Sequence, residues 1–115
     1  MTTLLDTSKD AFRTLNDEMR RQIVQQIGVM NLLAISGGRV IGRPTGLWLP
    51  VGSGYHVTVD LDANDTYVVR RLFKRAGKIY LKGERTDVYA EDLSECAYYA
   101  SCYVSYDDKE WPQKR

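Results

Sequence analysis

Residues 55–82 read YHVTVDLDANDTYVVRRLFKRAGKIYLK, and the fold class follows from their pattern. In YHVTVDL, apolar residues Val57, Val59 and Leu61 alternate with polar ones, which is typical of a strand with one face toward a core. The string DAND favours a turn, TYVVRRLFK a returning strand, and RAG a second turn before KIYLKG. The stretch therefore predicts strands that run back and forth in an antiparallel sheet.

The second of these turns sets the register of a basic hairpin. A two-residue type I′ turn would force Ala76 to a positive φ that its Cβ resists, so we expect a three-residue loop over residues 75–77. Lys74 then faces Lys78 across the hairpin. The predicted core side holds Tyr67, Val69, Phe73, Ile79 and Leu81. The predicted outer side holds Arg70, Leu72, Lys74, Lys78, Tyr80 and Lys82.

Helical periodicity precedes the sheet. From Ser8 to Ile35, apolar residues recur every three or four positions and predict one face of an N-terminal helix. These residues are Phe12, Leu15, Met19, Ile23, Ile27, Met30 and Leu33. Thr7 and Asn16 are alternative N-caps, and Gly28 leaves open whether the segment is one helix or two. Gly37 and Gly38 predict its end.

The remaining segments complete an α+β fold. RVI and LWLPV, separated by GRPTG, predict a first hairpin, with Pro50 either placing its strand at a sheet edge or ending it. Residues 91–104 place apolar side chains on one stripe and predict a C-terminal helix. We expect an N-terminal helix, a curled antiparallel sheet of four to five strands, open or closing into a partial barrel, and a C-terminal helix. Residues 1–106 form one compact domain in this interpretation, and residues 107–115 a partly ordered tail.

Composition narrows the class of protein. The chain has 115 residues, enough for one core, and neither a membrane span nor a signal peptide is indicated, so we expect a soluble cytoplasmic protein. Cys96 and Cys102 lie six positions apart on the predicted helix, where they cannot bridge, and we expect buried, unreactive thiols. Together with His56 they are too few for a zinc site, and no cofactor is predicted.

Two motifs invite chemical interpretations. Asp60, Asp62 and Asn64 imitate the start of a calcium loop, but Asp65 stands where glycine is needed and Arg71 where glutamate is needed, which favours an Asx-rich turn. An enzyme would require His56 to meet Asp60, Asp62 or Ser53 in a concave pocket. We expect instead an exposed strand histidine and a protein that is not an enzyme.

The charge distribution suggests a binding surface. Residues 70–85 carry seven Lys or Arg against Glu84 alone, and their net charge of +6 leaves −5 on the rest because the whole chain carries +1. The predicted partner-binding residues are Arg70, Lys74, Lys78, Tyr80 and Lys82. An acidic protein is the favoured partner, and nucleic acid is the alternative, since cations beside an aromatic suit a phosphate backbone. A second copy in a homodimer could also supply the counter-charge, and no membrane partner is expected.

Three strings carry a resemblance: MNLLAISGGRV, LPVGSGYHVTVDLDANDTYVVRRLF and YAEDLSECAYYASCY. Together they resemble a group of small, functionally uncharacterised proteins carried by bacteriophages and other mobile elements, over residues 30 to 104. The resemblance implies a setting in which small accessory proteins bind host or defence machinery. From it we expect a non-enzymatic binding protein in the cytoplasm of a bacterial host cell, which acts on another protein as an inhibitor of a host or defence factor.

Overall fold

An open antiparallel sheet forms the centre of the protein. The computed structural model describes residues 3–4 and 12–102. The strands are β1 (Thr3–Leu4), β2 (Ile41–Arg43), β3 (Gly46–Gly52), β4 (Tyr55–Leu61), β5 (Tyr67–Arg75) and β6 (Lys78–Val88). Their order across the sheet is β1, β6, β5, β4, β3, β2, so the sheet ends in two unpaired edges and does not close into a barrel. The predicted α+β class is confirmed, with five main strands and the two-residue β1 at one edge.

Within the described residues, three helices accompany the sheet: α1 (Asp17–Ile27), α2 (Val29–Ser36) and α3 (Ala90–Cys102). Asn16 caps α1, because its side-chain oxygen accepts a hydrogen bond from the Met19 backbone N–H at 2.8 Å. The prediction that the helix begins near Ser8 and includes Phe12 is wrong, since Phe12 forms an isolated bridge with Asp62. The alternative cap Thr7 and the predicted tail over residues 107–115 lie outside the described residues.

Gly28 divides the N-terminal helical segment in two. Its φ of +91° is a conformation that L side chains rarely adopt, and it ends α1 just before α2 begins. The break shifts the phase of the apolar stripe, so that Leu32 and Ile35 of α2 are buried. Met30 and Leu33, which we predicted on the core face, are instead 78% and 53% exposed. A periodicity read across a helix break therefore assigns the wrong face to α2.

The helices cover one face of the sheet. Its core comprises residues from all three helices and four strands, among them Ile23, Ile27, Leu32, Val57, Val59, Val69, Leu93 and Ala97. β4 alternates as predicted, but it is buried on both faces because Thr58 and Asp60 are 1% and 0% exposed. Asp60 accepts a hydrogen bond from Thr45 Oγ1 at 2.7 Å and forms an ion pair with Arg43 at 3.3 Å, which offsets the cost of burying its charge. The prediction of a half-buried β4 is therefore wrong on its polar face.

The basic hairpin adopts a register that differs from our prediction. Arg75 pairs with Lys78 across a two-residue turn, and both Ala76 (φ 54°) and Gly77 (φ 77°) are left-handed. This register pairs Phe73 with Tyr80 and buries Leu72 opposite Leu81. Cross-strand pairs of this kind contribute about 0.2 to 1 kcal/mol each, which offsets much of the roughly 1 to 2 kcal/mol cost of a left-handed alanine. The prediction of a three-residue loop is therefore wrong.

A buried arginine ties α3 to the sheet. Arg71 is 2% exposed, and its Nη1 donates a hydrogen bond to the Ala100 carbonyl at 2.8 Å. Its guanidinium lies 4.7 Å from the centre of the Tyr55 ring. A cation at the last turn of a helix also interacts favourably with the negative end of the helix dipole. Arg71 thus holds the end of α3 against β5 and, through Tyr55, against β4.

Replacing Arg71 by alanine should destabilise the fold strongly. Arg71→Ala removes the hydrogen bond to Ala100, the ring contact with Tyr55 and the buried volume of the side chain, and we expect a loss of about 2 to 4 kcal/mol in unfolding free energy. Urea denaturation followed by circular dichroism measures it. The control is Arg75→Ala on the exposed end of the same strand, with an expected change within about 0.5 kcal/mol. Equal effects of the two substitutions would contradict the role of Arg71.

Candidate interaction surfaces

The exposed cations of the hairpin lie at its end. Lys74, Arg75 and Lys78 surround the turn at Ala76 and Gly77, and all five residues are exposed. We call Lys74, Arg75 and Lys78 the basic tip. From Lys74 to Gly83 no acid occurs in the sequence. The tip is therefore a local concentration of positive charge.

Three aromatic side chains form a row beside this tip. Tyr55 pairs with Phe73, and Phe73 pairs with Tyr80, so the three lie side by side on β4, β5 and β6. The rings of Tyr55 and Phe73 are 4.9 Å apart between centres, and all three residues are half-buried. We call them the aromatic row. Arg75 and Lys78 lie two positions further along their strands, on the same face of the sheet.

The structure divides the predicted binding residues. Arg70 is 8% exposed, and its Nε forms an ion pair with Glu84 at 2.6 Å, so it does not belong to an accessible surface. Lys78 and Tyr80 share a face, whereas Lys74 points to the opposite one because it pairs with Ile79. Lys82 is half-buried at a bulge where β6 carries one residue more than β5. The predicted continuous stripe is therefore absent, and the surface contracts to the hairpin end.

Sequence reasoning missed three members of this site: Tyr55, Phe73 and Arg75. Phe73 was correctly assigned to the face that holds Val69, but the wrong turn length gave it Ile79 instead of Tyr80 as its partner. The same error placed Arg75 in the loop. Tyr55 carried no signal by itself, because its partner on β5 is fixed only by the length of the loop over residues 62–66. In that loop the Asn64 side-chain oxygen accepts hydrogen bonds from the Thr66 N–H and hydroxyl, at 3.2 and 2.6 Å. The predicted Asx-rich turn is confirmed.

Acidic residues occupy the opposite end of the sheet. Asp62 and Asp65 lie in the loop between β4 and β5, and Asp87 and Glu91 lie where β6 passes into α3. The strand β5 separates them from the basic tip by about 27 Å, eight steps of roughly 3.4 Å. The described part of the molecule therefore has a group of acids at the end opposite the basic tip, of which Asp65 forms an ion pair with Arg13.

His56 lies on the other face of the sheet, beside Trp48. Trp48 Nε1 donates a hydrogen bond to His56 Nδ1 at 2.9 Å, and the ring centres are 5.0 Å apart. His56 is half-buried, so the prediction of an exposed histidine is wrong. Burial, and secondarily the positive charge of Lys74, lower its pKa below 6.5. Asp60 is four residues away along β4, about 13 Å, and is bound by Thr45 and Arg43, so these residues do not assemble a catalytic group.

Other potential sites are occupied by structural contacts. A groove between α1 and the β2–β3 hairpin is lined by Arg20, whose guanidinium donates to the Arg43 carbonyl at 2.8 Å and to Asp17 at 2.7 Å. Arg20 thereby covers part of the edge strand β2. Among the described residues, no cluster of three His, Cys, Asp or Glu side chains is placed to hold a metal ion. Cys96 and Cys102 are both unbridged, and Cys102 is exposed, contrary to the predicted burial.

No family model, curated protein or solved structure matches the chain. Over residues 3–4 and 12–102, no helix has the length and apolar character needed to cross a membrane.

The lowered pKa of His56 predicts how stability responds to pH. Between the folded-state pKa and 6.5, the unfolded chain binds more protons at this site than the folded one, so stability should fall as pH decreases through this window. Nuclear magnetic resonance titration of the single histidine measures the pKa directly. Lys74→Gln should raise it only in part, because burial is the larger cause. A wild-type pKa at or above 6.5 would contradict this environment.

Proposed function

We propose that this chain is a small non-enzymatic binding protein that docks on an acidic surface of another protein through the basic tip and the aromatic row. The observation that carries the proposal is their juxtaposition: exposed Arg75 and Lys78 lie on the same face as half-buried Phe73 and Tyr80. Cations steer an oppositely charged partner and accelerate encounter, whereas aromatic side chains supply contact area at low entropic cost. Both contributions are needed for a specific protein interface.

The geometry favours a protein over duplex nucleic acid. A phosphate backbone is best followed by cations repeated along one face, since each neutralised phosphate adds to the affinity. Arg70 is instead neutralised by Glu84, and Lys74 and Lys78 lie on opposite faces of the hairpin. A compact positive tip fits a local acidic patch better. The resemblance to proteins of phages and mobile elements is what suggests a bacterial host or defence factor as that partner, and inhibition as the outcome of occupying it.

Single-stranded nucleic acid is a second candidate, and one observation favours it. The aromatic row places three ring-bearing side chains on adjacent strands beside two cations, and unpaired bases stack on such rings while cations hold their phosphates. This candidate uses the same surface as the first. The two differ in salt dependence and in the ligand retained.

Binding through the tip predicts a selective loss on charge removal. Arg75→Gln with Lys78→Gln should weaken binding at least about tenfold, and Tyr80→Ala should cost on the order of 2 kcal/mol if Tyr80 is an anchor. The matched control is Arg21→Gln with Arg39→Gln, which removes two exposed cations elsewhere. Each variant is used to capture proteins from a bacterial lysate, and any captured protein is purified and titrated. The wild type and the control should retain a protein that the tip variants lose.

A parallel titration distinguishes the second candidate. Fluorescence anisotropy of labelled single-stranded DNA and RNA, between about 50 and 200 mM salt, should show no specific binding if the partner is a protein. Salt-sensitive binding that the tip variants lose would replace the first candidate by the second. A captured protein that binds all variants equally would place the interface elsewhere.

A further inference from the structure

The outer face of α2 is apolar and exposed. Val29, Met30 and Leu33 are 70%, 78% and 53% exposed, and they lie on consecutive turns of one helix. Single exposed apolar residues are common, whereas these three form one contiguous group on a helix, which makes this face a candidate interaction site. None of the eight residues of α2 is charged. This face is separate from the basic tip and takes no part in the binding function proposed above.

The rest of α2 is fixed to the protein, so the face is formed in advance. Leu32 and Ile35 are buried, and Gly37 ends the helix in a left-handed conformation. Asn31 Nδ2 donates a hydrogen bond to the Ser94 carbonyl of α3 at 3.2 Å. A surface held in this way loses little conformational entropy on binding.

We propose that the partner of this face is a second copy of the chain, packed α2 against α2 about a twofold axis. Homodimer interfaces are more apolar than interfaces between proteins that associate transiently. The outer face of α2 is apolar and α2 carries no charge, so this face resembles a homodimer interface. In a twofold arrangement each residue meets its counterpart reciprocally, so Met30 of one protomer lies against Leu33 of its partner. Because α2 is neutral, the symmetry opposes no like charges. The flexible Met30 side chain adapts to the facing surface.

The charged ends of the molecule would produce a different assembly. Pairing the basic tip of one copy with the acidic end of another is head-to-tail, which leads to open chains and is weakened by salt. Dimerisation through α2 uses the same face of both copies, so the assembly is complete with two copies. Because this face carries no charge, the dimer should not dissociate when salt is raised.

The size of the face sets the expected strength. α2 is only about 12 Å long, and its three large side chains cover less than the roughly 800 Å² per protomer of a standard interface. Tyr98 of α3 is 39% exposed and lies one helical turn after Ser94, which accepts a hydrogen bond from Asn31 of α2, so it is the α3 residue that we expect to extend the contact. We therefore expect a dimer with a micromolar dissociation constant rather than a permanent one.

Sedimentation velocity tests the proposal with the full chain. From about 5 to 500 µM the wild type should shift from monomer to dimer. Met30→Glu with Leu33→Glu should remain monomeric over this range, which is a loss of at least about tenfold in association. The control is Ile41→Glu, because Ile41 is 53% exposed like Leu33 but lies on β2, opposite Trp48. Circular dichroism and thermal melting establish that all variants remain folded, as expected for substitutions at exposed positions.

Three results would overturn the proposal. The first is a wild type that stays monomeric at the highest concentration, which would leave the face to a different protein. The second is a dimer that survives Met30→Glu with Leu33→Glu, or that Ile41→Glu disrupts equally. The third is association that disappears when salt is raised from about 50 to 500 mM, which would indicate head-to-tail pairing of the charged ends. None of these results depends on whether the basic tip binds a partner.

Discussion

The contact of Arg71 with the last turn of α3 is the interaction on which the arrangement of sheet and helices depends. Burying a guanidinium is costly, and it is tolerated only where hydrogen bonds and favourable electrostatics replace water. The Ala100 carbonyl and the Tyr55 ring supply part of that replacement. Since Tyr55 in turn contacts Phe73, the arginine that positions α3 also orders the inner side of the aromatic row. The core and the candidate site thus share one buried contact.

The neighbouring arginine illustrates how burial reduces the charge available for binding. Arg70 and Arg71 are adjacent in sequence and point to opposite faces of β5, and both are sequestered, one by Glu84 and the other beneath α3. A segment with a net charge of +6 therefore presents its exposed cations only around the turn at Ala76 and Gly77, in the middle of the segment. Exposure, and not composition, determines which cations a partner can reach. A smaller site results, and its aromatic neighbours become correspondingly more important.

The sequence predicts the parts of this fold that depend on local pattern. Alternation in YHVTVDL identifies β4 with its bounds, Asn16 identifies the start of α1, and Gly37 identifies the end of α2. The predictions that are wrong concern features that tertiary contacts determine. Ala76 adopts a left-handed conformation because the resulting register buries Leu72. A prediction of turn type from the turn residues alone does not include the stabilisation that this burial provides. Likewise, apolar spacing across Gly28 is compatible with a continuous stripe until the break rotates α2.

The basic tip and the outer face of α2 are different surfaces, so binding of a partner through the tip is compatible with self-association through α2. Two basic tips cannot meet about a twofold axis without opposing like charges, so a self-interaction requires a neutral surface, and α2 is such a surface. A dimer formed there would carry two tips, each with a small interface of its own. If a partner presents two acidic sites within reach, the second binding event becomes intramolecular and the overall affinity rises without any new contact. Weak dimerisation would thus raise the affinity for such a partner, because it joins two basic tips in one assembly.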